Sequence, residues 1–210
     1  MIPVFLKLKG FKVCIFGFGE VGRRRLKKIL AGEPEKVTVY TKEEVDRETR
    51  RHYEDLCNIE FITCDLEELR DEDIQEIVKK HDIVIAAIDE RNNRRIVKIA
   101  KKFKKFINSS TFEEDVNFVI PAYCYKEGVY FVVYTQGRSP LMARYIRELV
   151  ERFIEKSKEE IDLQSYLRTF LKGCIPSQRD RREILEDVFK NEEFKRELLN
   201  LIKRYKNKQS

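Results

Sequence analysis

The chain has 210 residues, 42% hydrophobic and 38% charged, with 43 Lys+Arg against 37 Asp+Glu and a formal net charge of +6. That length holds one α/β domain plus a smaller one. No run reaches ~18 apolar residues and no signal-peptide pattern opens the chain, so no membrane is expected and the protein is expected in the cytoplasm. Acidic residues interrupt every basic run, which argues against a nucleic-acid partner.

A short apolar run, Val13–Phe16, enters Gly17-Phe18-Gly19-Glu20-Val21-Gly22, and a helical run continues to Leu30. Strand, glycine turn and helix form the context in which G-x-G-x-x-G points to a dinucleotide. Gly17 permits the tight turn, Gly19 lets the backbone approach a pyrophosphate, and Gly22 lets the helix pack close to the strand. The N–H groups at the start of that helix, aided by its dipole, favour an anion. The alternative is a glycine turn with no ligand. Arg23, Arg24 and Arg25 follow, one within reach of phosphate and the others facing water.

Lys36–Tyr40 is a β-branched second strand. Glu43–Leu56 reads as a helix with Thr41 as its N-cap. Ile59–Thr63 is the third strand, Asp71–Lys80 a helix, Asp82–Ala87 the fourth strand, Arg91–Lys104 a helix, and Phe106–Ser109 the fifth strand. This alternation predicts an α/β fold, a Rossmann-like doubly wound parallel sheet. Ligands bind such sheets at the carboxyl ends of the strands, which gathers Gly17–Gly22, Thr41-Lys42 and Ala87–Asp89 around one cleft. An NAD site usually has an acidic residue ~20 positions on, at the end of the second strand. Here that end is Tyr40-Thr41-Lys42; Glu43 and Glu44 are nearby but are assigned to the following helix, and Lys42 is compatible with a 2′-phosphate, so NADP stays open.

The pattern changes after Thr111. Phe118–Ala122 and Val129–Tyr134 read as hairpin strands joined through Lys126-Glu127-Gly128. Thr135-Gln136-Gly137-Arg138-Ser139-Pro140 leads into a long helix, with Ser139 as cap and Pro140 in the first turn. Leu141, Ile146, Leu149, Val150 and Phe153 are expected to form its buried face. Two or three amphipathic helices fill Ile161 to Tyr205, broken near Gly173 and Pro176, and the last residues are expected to fray.

Five cysteines, Cys14, Cys57, Cys64, Cys124 and Cys174, show no C-x-x-C spacing, so neither a disulfide framework nor a metal site is expected. Cys14 and Cys124 sit in strand-like runs and read as buried thiols. His52 and His81 lie among charges and read as surface residues.

Several features in order resemble the precorrin-2 dehydrogenase module of sirohaem synthases, including its bifunctional dehydrogenase/ferrochelatase versions. They are Ile2-Pro3-Val4-Phe5-Leu6, the glycine turn with its basic helix, and Ala86-Ala87-Ile88-Asp89 followed by Asn92 or Asn93. Asn108 and Phe118-Val119-Ile120-Pro121-Ala122 follow, then the run from Thr135 to Arg144. This last run is the most specific, because a doubly wound sheet does not require it. The resemblance covers essentially the whole chain. It implies oxidation of precorrin-2 to sirohydrochlorin with NAD, and a homodimer built largely by the segment after the fifth strand. The implied division is a dinucleotide-binding domain at 1–112, a small α+β dimerisation and substrate module at 113–145, and a helical domain at 146–210.

On this reading Gly17, Gly19, Glu20, Val21 and Gly22 hold the pyrophosphate, Thr41 and Lys42 flank the adenosine ribose, and Ala87 lines the cleft. Asn108 anchors either the nicotinamide amide or the loop backbone. Arg138, Ser139 and Arg144 are candidates for the tetrapyrrole carboxylates, since guanidinium binds carboxylate bidentately. For Arg144 an ion pair with Glu148 is the alternative. Tyr123, Tyr125, Tyr130, Phe131 and Tyr134 have the spacing of a sheet face or dimer core, with packing against a tetrapyrrole as the alternative. Thr111 stands where the family often has an Asp proposed to act in catalysis, and a hydroxyl does not take up a proton as a carboxylate does. Glu113, Glu114 and Asp115 follow and are either substitutes or a solvated acidic turn. Thr111 weakens ferrochelation most, since metal insertion requires a base. Hydride transfer depends mainly on positioning. A non-catalytic tetrapyrrole or dinucleotide sensor is the rival from another class.

Overall fold

In the computed structural model, which describes residues 2–55, 58–111 and 114–206, the Val- and Ile-rich runs form five parallel strands. These are β1 (Lys12–Phe16), β2 (Lys36–Thr41), β3 (Ile59–Thr63), β4 (Ile83–Ala86) and β5 (Phe106–Ser109). The connecting helices are α1 (Glu20–Leu30), α2 (Arg47–Glu54), α3 (Asp71–Lys79) and α4 (Glu90–Lys102). Strand order is β3-β2-β1-β4-β5. The order therefore reverses between β1 and β4, the point where such sheets open a crevice. Phe16 lies level with Tyr40 on one side and Ala86 on the other, so the ends of β1, β2 and β4 share one edge.

Alternate strand residues serve opposite layers. Val13, Ile15, Val37, Val39, Ile83 and Ile85 pack with Leu26 and Ile29 of α1. Cys14, Phe16, Val84, Ala86 and Ile107 pack with Ile74 and Val78 of α3 and Ile96, Val97, Ile99 and Ala100 of α4. Both faces are covered, which is why the central strands read as unbroken apolar runs.

Several expectations need correcting. Helix α2 begins at Arg47, four residues later than expected, because the Asp46 carboxylate accepts the Thr49 N–H at 2.8 Å and caps it there. Thr41 is instead the last residue of β2. Leu56 and Cys57 lie outside the described residues. His81 is buried, not on the surface: Nδ1 is 2.7 Å from the Ile77 carbonyl and Nε2 is 3.2 Å from the Thr38 hydroxyl. Burial pushes its pKa below the ordinary value. Residues 118–121 are not a strand. Asn117 and Phe118 donate their N–H groups to the Ile107 carbonyl, and the Asn117 side chain accepts the Ile107 N–H at 2.7 Å, which ties this segment to β5. Cys14 and Cys124 are buried thiols, as expected.

Chain contacts divide the molecule into residues 1–120 and 121–210. The second unit opens with an antiparallel hairpin, β6 (Ala122–Lys126) and β7 (Val129–Val133). Its two-residue loop, Glu127-Gly128, has positive φ at both positions, the geometry that matches strand twist. Four helices follow: α5 (Pro140–Lys156), α6 (Lys158–Cys174), α7 (Gln178–Lys190) and α8 (Glu192–Lys206). The Ser139 hydroxyl accepts the Met142 N–H and caps α5, with Pro140 in its first turn. Helix α5 runs unbroken through residues 145 and 146. Helix α6 passes through Gly173, and the break comes at Pro176, with Ser177 capping α7.

The burial of α5 differs from expectation. Leu141, Leu149 and Phe153 are exposed, Ile146 and Val150 are half-buried, and Ala143 and Ile154 are the residues fully covered. The helix has two apolar faces, one against the hairpin and one outward. Among the described residues no helix is long and apolar enough to cross a membrane. Residues 207–210, expected to fray, lie outside them.

Candidate functional site

The glycine turn is locked in place by its neighbours. The Gly17 N–H donates to the Tyr40 carbonyl at 2.8 Å, and the Ala87 N–H donates to the Phe16 carbonyl at 2.8 Å. Gly17 has φ +98°, and a Cβ there would strike the Ala87 carbonyl; a Cβ on Gly22 would strike the Gly17 carbonyl. These two positions require glycine for packing. Gly19 differs: a Cβ there would meet nothing within 4 Å. Space therefore opens beside Gly19, which is also the N-cap of α1, and no side chain among the described residues caps that helix end. The first-turn N–H groups of Glu20, Val21 and Gly22 have no intrahelical acceptor to use. An open depression of about 520 Å³ adjoins them, lined by Gly19, Glu20, Arg23, Arg24 and Lys27. A bare, anion-seeking helix end with basic residues beside it fits a dinucleotide pyrophosphate.

The opposite wall is formed after β4. Here the helix end is already capped: Asp89 accepts the Asn92 N–H at 2.9 Å and its side-chain amide at 2.6 Å. These bonds hold the Asp89 carboxyl below its ordinary range. Asn93 is fully buried. Its carbonyl oxygen accepts the Ile88 N–H at 3.0 Å, and its amide donates to the Ser110 hydroxyl at 2.8 Å. One side chain thus joins the loops that follow β4 and β5.

Arg25 acts at the same edge. Its guanidinium donates to the Ala86 carbonyl at 3.2 Å and the Ser109 carbonyl at 2.5 Å, the last residues of β4 and β5. Burial, with Arg24 adding repulsion, lowers its pKa from 12.5 to about 10. It does not face water, as a run of three arginines suggested. The signal was in the spacing: Gly22, Leu26 and Ile29 are the buried residues of α1, and position 25 falls on their face.

At the end of β2, the Thr41 hydroxyl donates to the Glu43 carbonyl at 3.3 Å. Lys42 Nζ lies 2.7 Å from Asp65 Oδ2. That contact raises the lysine pKa and lowers the carboxyl. Asn108 is buried. Its amide donates to the Phe118 carbonyl at 2.7 Å, while its own carbonyl oxygen, also buried, has no partner among the described residues. Of its two expected roles, this geometry favours holding the loop backbone. Thr111 Oγ1 is 3.1 Å from the Ser109 hydroxyl. Asp115 is engaged by Lys101, Glu114 is exposed, and Glu113 lies outside the described residues.

In the second unit the Thr135–Arg144 run forms a turn and a helix start. The Arg138 N–H closes the turn on the Thr135 carbonyl at 3.0 Å, and its side chain is exposed. The Ser139 hydroxyl serves the cap. Arg144 pairs with Glu148 at 2.9 Å, as the alternative reading had it, which raises the guanidinium pKa and lowers the carboxyl.

A family model described as "Putative NAD(P)-binding" matches residues 4–122. A "Putative precorrin-2 dehydrogenase" of Methanocaldococcus jannaschii is 44% identical over 207 residues, covering 99% of this chain and 98% of the relative. A "Precorrin-2 dehydrogenase" of Methanosarcina barkeri is 28% identical over 196 residues, 91% of this chain and 84% of the relative. A solved structure, "SirC, precorrin-2 dehydrogenase", aligns with TM-score 0.66 at 21% identity, covering 98% of this chain and 100% of that one, so the fold is shared. With this full-length likeness added to the glycine cradle, the chain belongs to the precorrin-2 dehydrogenase family.

Proposed function

We propose that the chain dehydrogenates precorrin-2 to sirohydrochlorin in sirohaem or related tetrapyrrole synthesis. The observation that carries this is the uncapped start of α1, with open space at Gly19, set at the reversal point of a sheet that near-full-length family members share. When bound, NAD supplies the two-electron acceptor. Gly17, Gly19, Glu20, Val21 and Gly22 hold its pyrophosphate, Thr41 and Lys42 flank the ribose, and Ala87 lines the opposite wall. Arg25 and Asn93 are positioning residues that fix the ends of β4 and β5, so that orientation rather than a strong base governs the reaction. Thr111 and its hydroxyl neighbours offer no carboxylate for metal insertion, which supports dehydrogenation without ferrochelation.

Arg138 and Arg144 receive the substrate carboxylates, Arg144 by exchanging its exposed partner Glu148 for substrate. Residues 113–145 serve dimerisation and substrate binding, and 146–210 form the helical domain. The partner is a second copy of the chain. Leu141, Tyr145, Leu149 and Phe153 recur every four residues along α5 and are all exposed, as are Tyr125, Tyr130, Val132 and Tyr134 at the hairpin. Apolar surface on this scale marks an interface. The four described cysteines are free thiols, which suits the cytoplasm.

The test is anaerobic incubation of the purified chain with precorrin-2 and NAD, followed by absorbance. Sirohydrochlorin formation is expected. A folded dimer that turns over with neither NAD nor NADP overturns the assignment.

A further inference from the structure

We infer that the Lys42–Asp65 pair reads the 2′ position of the adenosine ribose and selects NAD over NADP. The inference rests on the dinucleotide reading of the glycine turn. The last residues of β2, Tyr40-Thr41, and the following Lys42 are not acidic; Glu43 and Glu44 come next in the exposed loop before α2, and the acidic side chain that contacts Lys42 is Asp65, just past β3. β2 and β3 run parallel with Thr41 level with Thr63, and the Cys64 N–H extends the ladder to the Thr41 carbonyl at 2.8 Å. Lys42 and Asp65 therefore emerge side by side from the carboxyl edge. The same edge is tied to the glycine turn through the Gly17 N–H on the Tyr40 carbonyl.

The carboxylate is fixed at both oxygens. Asp65 Oδ1 accepts the Glu67 N–H at 3.0 Å, and Oδ2 meets Lys42 Nζ at 2.7 Å. The lysine is largely exposed, so the pair does little for folding. A carboxylate has acceptor capacity left for a ribose hydroxyl. A 2′-phosphate carries about −1.5 to −2 charge and would meet a negative group head-on. The lysine that could offset it is already committed to Asp65, and Glu67 and Glu68 add to the negative field around it. Removing the aspartate frees the lysine for phosphate. Removing the lysine leaves the aspartate unscreened. The two substitutions must therefore shift preference in opposite directions.

The experiment is calorimetric titration of the full chain with NAD, NADP and adenosine 2′,5′-bisphosphate, with no substrate and no turnover. Wild type is expected to bind NAD more tightly than NADP. Asp65→Asn should raise affinity for NADP and for the bisphosphate about tenfold relative to NAD, and Lys42→Met should lower it. Thermal melts of both variants are expected to match wild type. An NADP/NAD ratio unmoved by either variant overturns the inference, as does a wild type that prefers NADP. If NAD binds normally while the ratio stays fixed, only the selector fails. If wild type binds neither nucleotide, the dinucleotide reading fails with it.

Discussion

The edge of the parallel sheet and the outer face of α5 treat their side chains in opposite ways. At the sheet edge even the charged and amide groups are tied inward: Arg25 to two carbonyls, Asn93 to two loops, Asn108 to Phe118. Along α5, Leu141 is 76% exposed and Phe153 is 68% exposed. In the first region these side chains find their partners within the same unit of the chain. The second has apolar area that the described residues leave uncovered. Hydrophobicity alone does not tell these cases apart, since Ile15 and Phe153 are both strongly apolar, yet only Ile15 is enclosed.

The sharpest way to break this contrast is to truncate one residue from each region. Ile15→Ala, from a side chain with no exposure, is expected to destabilise the fold by about 2–5 kcal/mol in urea unfolding. Phe153→Ala should leave the unfolding of the isolated chain nearly unchanged and instead weaken self-association in sedimentation equilibrium. Equal loss of fold stability from both would erase the distinction.

Gly19→Val tests whether the open space at the turn is a ligand's space. No clash is expected at the added Cβ, which meets nothing within 4 Å among the described residues. NAD affinity should fall about ten- to a hundredfold, equivalent to about 1.4–2.8 kcal/mol, with the melting temperature held. Unchanged NAD binding would show that the cradle serves no nucleotide.

Arg25→Ala removes the guanidinium donor from the Ser109 carbonyl and from the Ala86 carbonyl, which keeps the Ser110 N–H at 2.8 Å, at a cost of about 1–3 kcal/mol. Arg25→Lys should recover part of that loss in thermal unfolding. Full stability in the alanine variant would mean that water replaces the guanidinium.

The smallest effect concerns acid. His81 titrates below its ordinary 6.5 because burial disfavours its charge. The unfolded chain therefore binds this proton before the folded chain does, and stability rises with pH across that window. The contribution is complete above about pH 6.5 and is lost as pH falls toward the folded value. His81→Gln should flatten this part of the stability–pH curve, and an unchanged slope would assign the acid sensitivity to other groups.

The five strands were legible because β-branched runs and βα alternation are local signals. The glycine turn was legible because three glycines stand at fixed spacing, two of which, Gly17 and Gly22, answer steric demands within the chain. What escaped was non-local or masked. Asp65 meets Lys42 only once β2 and β3 lie side by side. His81 sits between Lys80 and Asp82, charges that suggested water, while its ring turns back to Ile77 and Thr38. The start of α2 depended on whether Thr41 or Asp46 took the cap, and strand pairing had already claimed Thr41. Arg25 was readable from helical spacing but hidden by two similar neighbours. The outward stripe of α5 was visible as apolar residues, yet its pattern cannot state which molecule covers it.

Asn93 ties the loop after β4 to the loop after β5 through the two ends of one amide. No perturbation of this residue can stay on one side of it. Trimming it would slacken the backbone at Ile88 and the hydroxyl of Ser110 together, and any molecule that tugs residue 88 would be felt at residue 110 through a single rigid plane of atoms.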